Sequence, residues 1–135
     1  MPGSHVLRAT VASLKIFFDG GCRPNPGRME TAVVARGIVY IDDDVGEGTN
    51  SDAEWLAAIH ALRVAQALGE RDVRLVGDSA LIVAQANGIQ KCRSATLAAS
   101  RATFLEMAGR FDRVRVRQIG RAQNLAGIAL DRRRS

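Results

Sequence analysis

Three short β-rich runs follow one another early in the chain, and that arrangement does most to limit the fold. Leu14-Lys15-Ile16-Phe17-Phe18-Asp19 ends in Gly20-Gly21 and then Pro24-Asn25-Pro26-Gly27, a dense group of turn residues. Thr31-Ala32-Val33-Val34-Ala35-Arg36 and Gly37-Ile38-Val39-Tyr40-Ile41 come next with almost nothing between them. Strands so closely joined have no room for a crossover, so they must pair antiparallel as a meander. The acidic, glycine-containing stretch 42–48 reads as the place where the third strand frays or turns.

The period then changes. Trp55, Leu56, Ile59, Leu62 and Ala65 recur at helical spacing within residues 51–68. Thr49, Asn50 and Ser51 offer capping oxygens, Asp52 and Glu54 fall in the first turn, and Gly69 is a stop. Residues 73–78 alternate as a strand, 79–86 make a short helix ended by Asn87-Gly88, and 95–108 make an alanine-rich helix. Residues 114–119 read as a half-buried strand and 124–133 as a last helix. The order β-β-β-α-β-α-α-β-α predicts an α/β fold with a mixed five-stranded sheet and helices on both faces.

A length of 135 residues suits one domain, expected over 14–135 after a tail at 1–13. A hydrophobic fraction of 47% against 24% charged is a globular balance. No apolar run approaches the ~20 residues of a membrane span, and no signal-peptide layout is present. Cys22 and Cys92 sit in no CxxC pair and have no histidine cluster nearby, which argues against zinc and for free thiols in a cytoplasmic protein. The net charge of +5 suits a polyanionic partner, although charge alone does not identify one.

Asp19 and Asp78 both end predicted strands, where ligand sites of open α/β sheets gather. If those strands are neighbours, the helix starting near Ser51 can carry Glu54 over both acids. Three carboxylates at one point repel one another and call for a cation; oxygen donors without histidine or cysteine favour Mg²⁺ or Mn²⁺. Taken singly, each acid has an ordinary structural role: Asp19 in a turn, Glu54 at a helix start, Asp78 as a cap.

The residues around these acids resemble the type 1 ribonuclease H family. Phe18-Asp19-Gly20-Gly21-Cys22-Arg23-Pro24-Asn25-Pro26-Gly27 is similar to its first-strand motif, Asp-Gly, a small residue and then Asn-Pro-Gly. Thr49-Asn50-Ser51-Asp52-Ala53-Glu54-Trp55-Leu56-Ala57-Ala58 resembles its first helix start, and Val76-Gly77-Asp78-Ser79 with Leu81-Ile82-Val83 its second acidic motif. Arg121-Ala122-Gln123-Asn124 resembles the Arg-x-x-Asn before its last helix. The likeness runs from about Leu14 to Leu130.

That resemblance implies a monomeric endonuclease that cuts the RNA strand of an RNA/DNA hybrid and leaves 5′-phosphate and 3′-hydroxyl ends. Asp19, Glu54 and Asp78 would hold two Mg²⁺ or Mn²⁺ ions. Gly20, Gly21, Cys22, Asn50 and Ser51 would line the minor groove, where 2′-hydroxyls distinguish RNA from DNA. Asn25 would lie near the nucleic-acid backbone, and Thr49 would grip a DNA-strand phosphate. The family's fourth acid would fall at Ile128, which cannot bind a metal. Asp131, three residues on, is placed ahead of Asn124, four residues back, as a substitute ligand; a site with one protein ligand fewer is the third option. No histidine occupies the loop before the last helix, so Arg121 is a candidate for product release or phosphate binding. A basic protrusion is missing as well, leaving Lys91, Arg93, Arg101 and the terminal arginines to hold substrate.

The rival reading is a catalytically weakened module of the same fold that only binds nucleic acid. A proofreading-type exonuclease is disfavoured because Asp19 is followed by two glycines rather than by Asp-x-Glu. A phosphate-loop hydrolase is excluded, because no Gly-Lys-Ser/Thr follows the glycine-rich turn.

Overall fold

In the computed structural model, which describes residues 13–134, the meander is made of β1 (Leu14–Cys22), β2 (Gly27–Ala35) and β3 (Ile38–Asp42). Next come β4 (Glu47–Gly48), α1 (Asn50–Ala67), β5 (Asp72–Gly77), α2 (Ala80–Ala86), α3 (Ala95–Ala108), β6 (Arg113–Gln118), a 3₁₀ turn (Arg121–Gln123) and α4 (Leu125–Arg134). The main sheet runs β3-β2-β1-β5-β6, antiparallel within the meander and parallel from β1 to β5 and from β5 to β6. This is the mixed sheet the element order predicts. The tail expected at 1–13 lies outside the described residues except for Ser13.

Alternation along β1 and β2 separates two cores. Ile16, Phe18 and Val33 face α1 and α3 and pack with Trp55, Leu62 and Phe104. Trp55 meets Phe104 edge to face, with centroids 5.6 Å apart, and its indole N–H donates to Gln85 Oε1 at 2.8 Å. On the opposite face Ala32 and Val34 pack with Ala126 and Leu130 of α4. Helices therefore cover both faces, and the first and last thirds of the chain meet across the sheet.

Three local expectations are corrected. β1 does not stop at Asp19: Gly20, Gly21 and Cys22 continue the ladder opposite Thr31, Glu30 and Met29, moving the turn to residues 23–26. The parallel pairing with β5 ends at Phe17, so Asp19 still lies just beyond the end of the β5 ladder. The stretch after β3 turns back and pairs Glu47–Gly48 with Gly27 and Arg28, adding a sixth short strand, because β2 outruns β3 and leaves its first residues unpaired. Finally, α1 begins at Asn50, so Glu54 sits beyond the first turn rather than within it.

The N-terminus of α1 is held by a reciprocal capping box. Thr49 Oγ1 accepts from Asp52 N at 3.1 Å while Asp52 Oδ2 accepts from Thr49 N at 3.0 Å, an arrangement worth about 1 kcal/mol. Gly69 follows the helix with φ +73°, the left-handed conformation expected of a helix stop. Both cysteines are free thiols, and among the described residues no helix is long and apolar enough to cross a membrane.

Candidate active site

Asp19 projects from β1, Asp78 follows the last residue of β5, and Glu54 reaches over from α1. One carboxylate oxygen from each lies within 4.8 Å of the other two. The approach of α1 to β1 depends on Gly20: a Cβ there would lie 2.1 Å from the Ala53 carbonyl oxygen, so only glycine lets the helix start close enough. Gly127 approaches the acids from the other side, without the clash that would bar a side chain at Gly20. Its missing Cβ would stand 3.4 Å from Asp19 Oδ2 and 3.6 Å from Asp78 Oδ2, so α4 rests directly against the acids.

Burial shapes the electrostatics. Asp19 is 4% exposed, and burial pushes its carboxyl up to about 6; a hydrogen bond with Glu54 opposes the rise and the Asp78 charge adds to it. Glu54 is pushed to about 9, first by burial and then by the charge of Asp19. Without a cation, these two acids hold a proton where isolated carboxyls would have lost it. Asp19 Oδ1 and Glu54 Oε2 are buried with no hydrogen-bond partner among the described residues. Buried acceptors without donors are costly, and an all-oxygen set with two such atoms fits a hard divalent cation.

Asp78 is oriented by Asn124, which is fully buried. Asn124 Nδ2 donates to Asp78 Oδ2 and to the Phe18 carbonyl, both at 3.0 Å, while its Oδ1 accepts from Ala126 N at 3.1 Å and caps α4. The amide oxygen considered as a metal ligand is thus committed to the helix. Arg121 bridges Asp78 Oδ2 and Asp131 Oδ1, each at 3.5 Å, which sets Asp131 on the rim of the acidic group, half exposed. Ile128 borders a groove with Val34, Gly37 and Val39. Gly127, the residue before Ile128, is laid against Asp19 and Asp78.

A cleft of about 360 Å³ opens onto the acids and is lined by Asp19, Gly20, Gly21, Cys22, Arg23, Asn50, Glu54, Arg121 and Arg134. Asn25 and Asn50 tie the β1–β2 turn to α1: Asn25 Oδ1 accepts from Asn50 N at 3.1 Å and Asn50 Oδ1 from Cys22 N at 3.0 Å. Thr49 and Ser51 do not line this cleft. The Thr49 hydroxyl donates to Asp52 Oδ2 at 3.0 Å, and Thr96 from the start of α3 donates to Asp52 Oδ1 at 3.0 Å. Burial raises the Asp52 carboxyl, but these hydrogen bonds outweigh it and hold the group below the usual carboxylate range.

Arg101 donates Nε to the Gln85 carbonyl at 2.8 Å, so part of the arginine set expected to hold substrate serves the fold. His60 lies on α1 with Nδ1 2.8 Å from Thr31 Oγ1 on the strand beside β1, and it is not part of the acidic group. Sequence reasoning missed Gly127 and Thr96, and it named Arg134 only among the terminal arginines expected to hold substrate, without placing it at the cleft. The Thr49-x-x-Asp52 spacing signals the capping box, whereas nothing local to Arg134 reveals that its helix ends beside Gly21.

A family profile described as reverse transcriptase-like matches residues 18–132. A curated ribonuclease HI from Halobacterium salinarum is 33% identical over 129 residues, covering 85% of this chain; the chain spans 63% of the length of that relative. The crystal structure of RNase H1 from the same archaeon superposes with a TM-score of 0.82 at 30% identity, covering 88% of this chain and 94% of that one. The N-terminal RNase H domain of a Mycobacterium tuberculosis protein gives 0.79 at 28% identity, covering 88% and 95%. LC11-RNase H1 in complex with an RNA/DNA hybrid gives 0.77 at 30% identity, covering 91% and 100%.

Proposed function

The chain belongs to the ribonuclease HI family, and from that premise we propose that it is an endoribonuclease hydrolysing the RNA strand of RNA/DNA hybrids. The observation that carries this reading is the convergence of Asp19, Glu54 and Asp78, with two orphaned buried oxygens, beside a cleft flanked by glycine backbone. A relative of the same fold is bound to an RNA/DNA hybrid, which supports the choice of substrate.

Asp19, Glu54 and Asp78 are the residues to hold two Mg²⁺ or Mn²⁺ ions. Such ions supply Lewis-acid activation of the attacking water and charge stabilisation at the leaving 3′ oxygen, giving 5′-phosphate and 3′-hydroxyl ends. Asn124 keeps Asp78 aimed at the cleft. Asp131, held by Arg121 at the rim, is the remaining carboxylate able to serve a second ion, directly or through water. Arg121 also stands where a product phosphate leaves. Gly20, Gly21 and Cys22 present backbone to the minor groove at close range. Asn50, its oxygen committed to Cys22, offers its amide N–H groups to 2′-hydroxyls. Asn25 sets that wall, Ser51 would join Asn50 along the minor groove, and Thr49 would serve the DNA strand. For Thr49 to grip a DNA phosphate, its hydroxyl must leave Asp52.

The test is product analysis after incubating a hybrid with wild-type and Asp78→Asn protein in Mg²⁺ and in Mn²⁺. Fragments with 5′-phosphates from wild type and none from the variant are expected. Hybrid binding without cleavage in either metal would replace this reading with a nucleic-acid-binding module.

A further inference from the structure

The last turn of α4 brings Arg134 back to the active-site cleft. Its Nε donates to Glu30 Oε1 at 2.7 Å, and Glu30 Oε2 also pairs with Arg133 at 3.8 Å. Held by that bond, the guanidinium lies against the backbone of Gly21: a Cβ at Gly21 would be 3.1 Å from Arg134 Nη2 and 3.7 Å from Nη1. Arg134 Nη2 is buried and has no hydrogen-bond partner among the described residues. Beside the active-site cleft is a second hollow of about 190 Å³, lined by Arg23, Arg28, Glu30 and Arg134. Arg23 and Arg134 line both spaces. Arg23 and Arg28 are exposed.

We propose that Arg134, with Arg23 beside it, forms a phosphate-binding subsite on the wall of the cleft and grips the RNA backbone next to the bond that is cut. The inference rests on the hydrolase reading above. Chemistry favours phosphate over a neutral ribose hydroxyl. A guanidinium offers only donors, its fork matches two phosphate oxygens, and an unsatisfied buried N–H gains most from an anionic acceptor. The acids at the floor of the cleft repel a phosphodiester wherever no cation intervenes, so an arginine wall a short distance away offsets that repulsion and holds the strand in register. Glu30 preorganises the group, so little side-chain freedom is lost on binding. The bare backbone of Gly21 leaves room for the guanidinium to lie at the cleft wall.

The experiment compares wild type, Arg134→Ala and Arg134→Lys on a defined hybrid. KM, kcat and the salt dependence of binding are measured alongside melting temperature. Arg134→Ala is expected to raise KM about tenfold with kcat within about twofold of wild type. The slope of log K against log salt should fall by about 0.9, the loss of one phosphate contact. Arg134→Lys should recover most of the slope and only part of KM, because a lysine keeps the charge and loses the fork. A hybrid with one neutral methylphosphonate, moved stepwise along the RNA strand, should weaken wild-type binding at one position where Arg134→Ala is indifferent. A lowered melting temperature with unchanged KM and salt slope would overturn the subsite and reduce Arg134 to a strut for Glu30. The two readings fail separately. Wild type that cuts while Arg134→Ala is unchanged refutes the subsite alone, and wild type that binds without cutting yet loses salt slope on substitution refutes the hydrolase alone.

Discussion

Replacing Asn124, itself fully buried, with alanine removes three hydrogen bonds. The Phe18 carbonyl loses its donor from Nδ2, Ala126 N–H loses the acceptor that caps α4, and Asp78 loses the group that aims it. A buried polar group left without a partner costs about 1–3 kcal/mol, and the Phe18 carbonyl and Ala126 N–H are two such groups. Asp78 suffers less, since Arg121 and solvent can still reach it. The expected loss is therefore about 3 kcal/mol, a large share of the ~5–15 kcal/mol that holds a domain together. Urea unfolding at neutral pH with chelator present, extrapolated to water, measures it. Asn124→Asp separates the parts: its carboxylate still accepts from Ala126 N–H, but donates nothing to Phe18 or Asp78 and adds a like charge to the acids. Asn124→Asp should be the weaker protein in chelator and should recover on adding Mg²⁺, whereas Asn124→Ala should recover less. A loss below about 1 kcal/mol for Asn124→Ala would refute the claim that this side chain couples the α4 start to the acidic site.

Three further outcomes follow from the geometry. Because the folded pKa values of Asp19 and Glu54 lie above their ordinary values, the native state binds more protons than the unfolded chain from the normal carboxylate range up through about 6 and about 9. Stability of the metal-free protein should accordingly fall as pH rises through that window, and Mg²⁺ should reverse the fall; melting curves against pH with and without chelator test this, and a flat profile contradicts it. Gly20→Ala should cost about 3 kcal/mol or more in urea unfolding, because its Cβ would lie 2.1 Å from the Ala53 carbonyl oxygen. Ile128→Asp should leave Mg²⁺ affinity by titration calorimetry unchanged, since Ile128 lines the groove with Val34 and Val39, whereas Asp131→Asn should weaken it.

The meander and mixed sheet, the helix bounds within a residue or two, and the candidacy of Asp19, Glu54 and Asp78 were legible because each rests on a local pattern: alternation, helical period, a cap and a strand end. Other features depend on distance in sequence. The continuation of β1 through Gly20-Gly21 was hidden because adjacent glycines signal a turn, and only pairing with Thr31 and Glu30 makes them strand. β4 depends on the unpaired start of β2, which a two-residue segment cannot announce. Which α4 side chains approach the acids turns on helix rotation, set by packing of Ala126 and Leu130 on Ala32 and Val34. Arg134 reaches Gly21 only because α4 has the length and direction to bring it there.

The most direct test is cleavage of one RNA/DNA duplex carrying a different label on each strand, run beside the same RNA alone, in Mg²⁺ and in chelator. The account predicts fragments from the duplexed RNA only, dependent on Mg²⁺ and abolished by Asp19→Asn. Cutting that survives chelation, or that falls equally on single-stranded RNA or on the DNA strand, would contradict it.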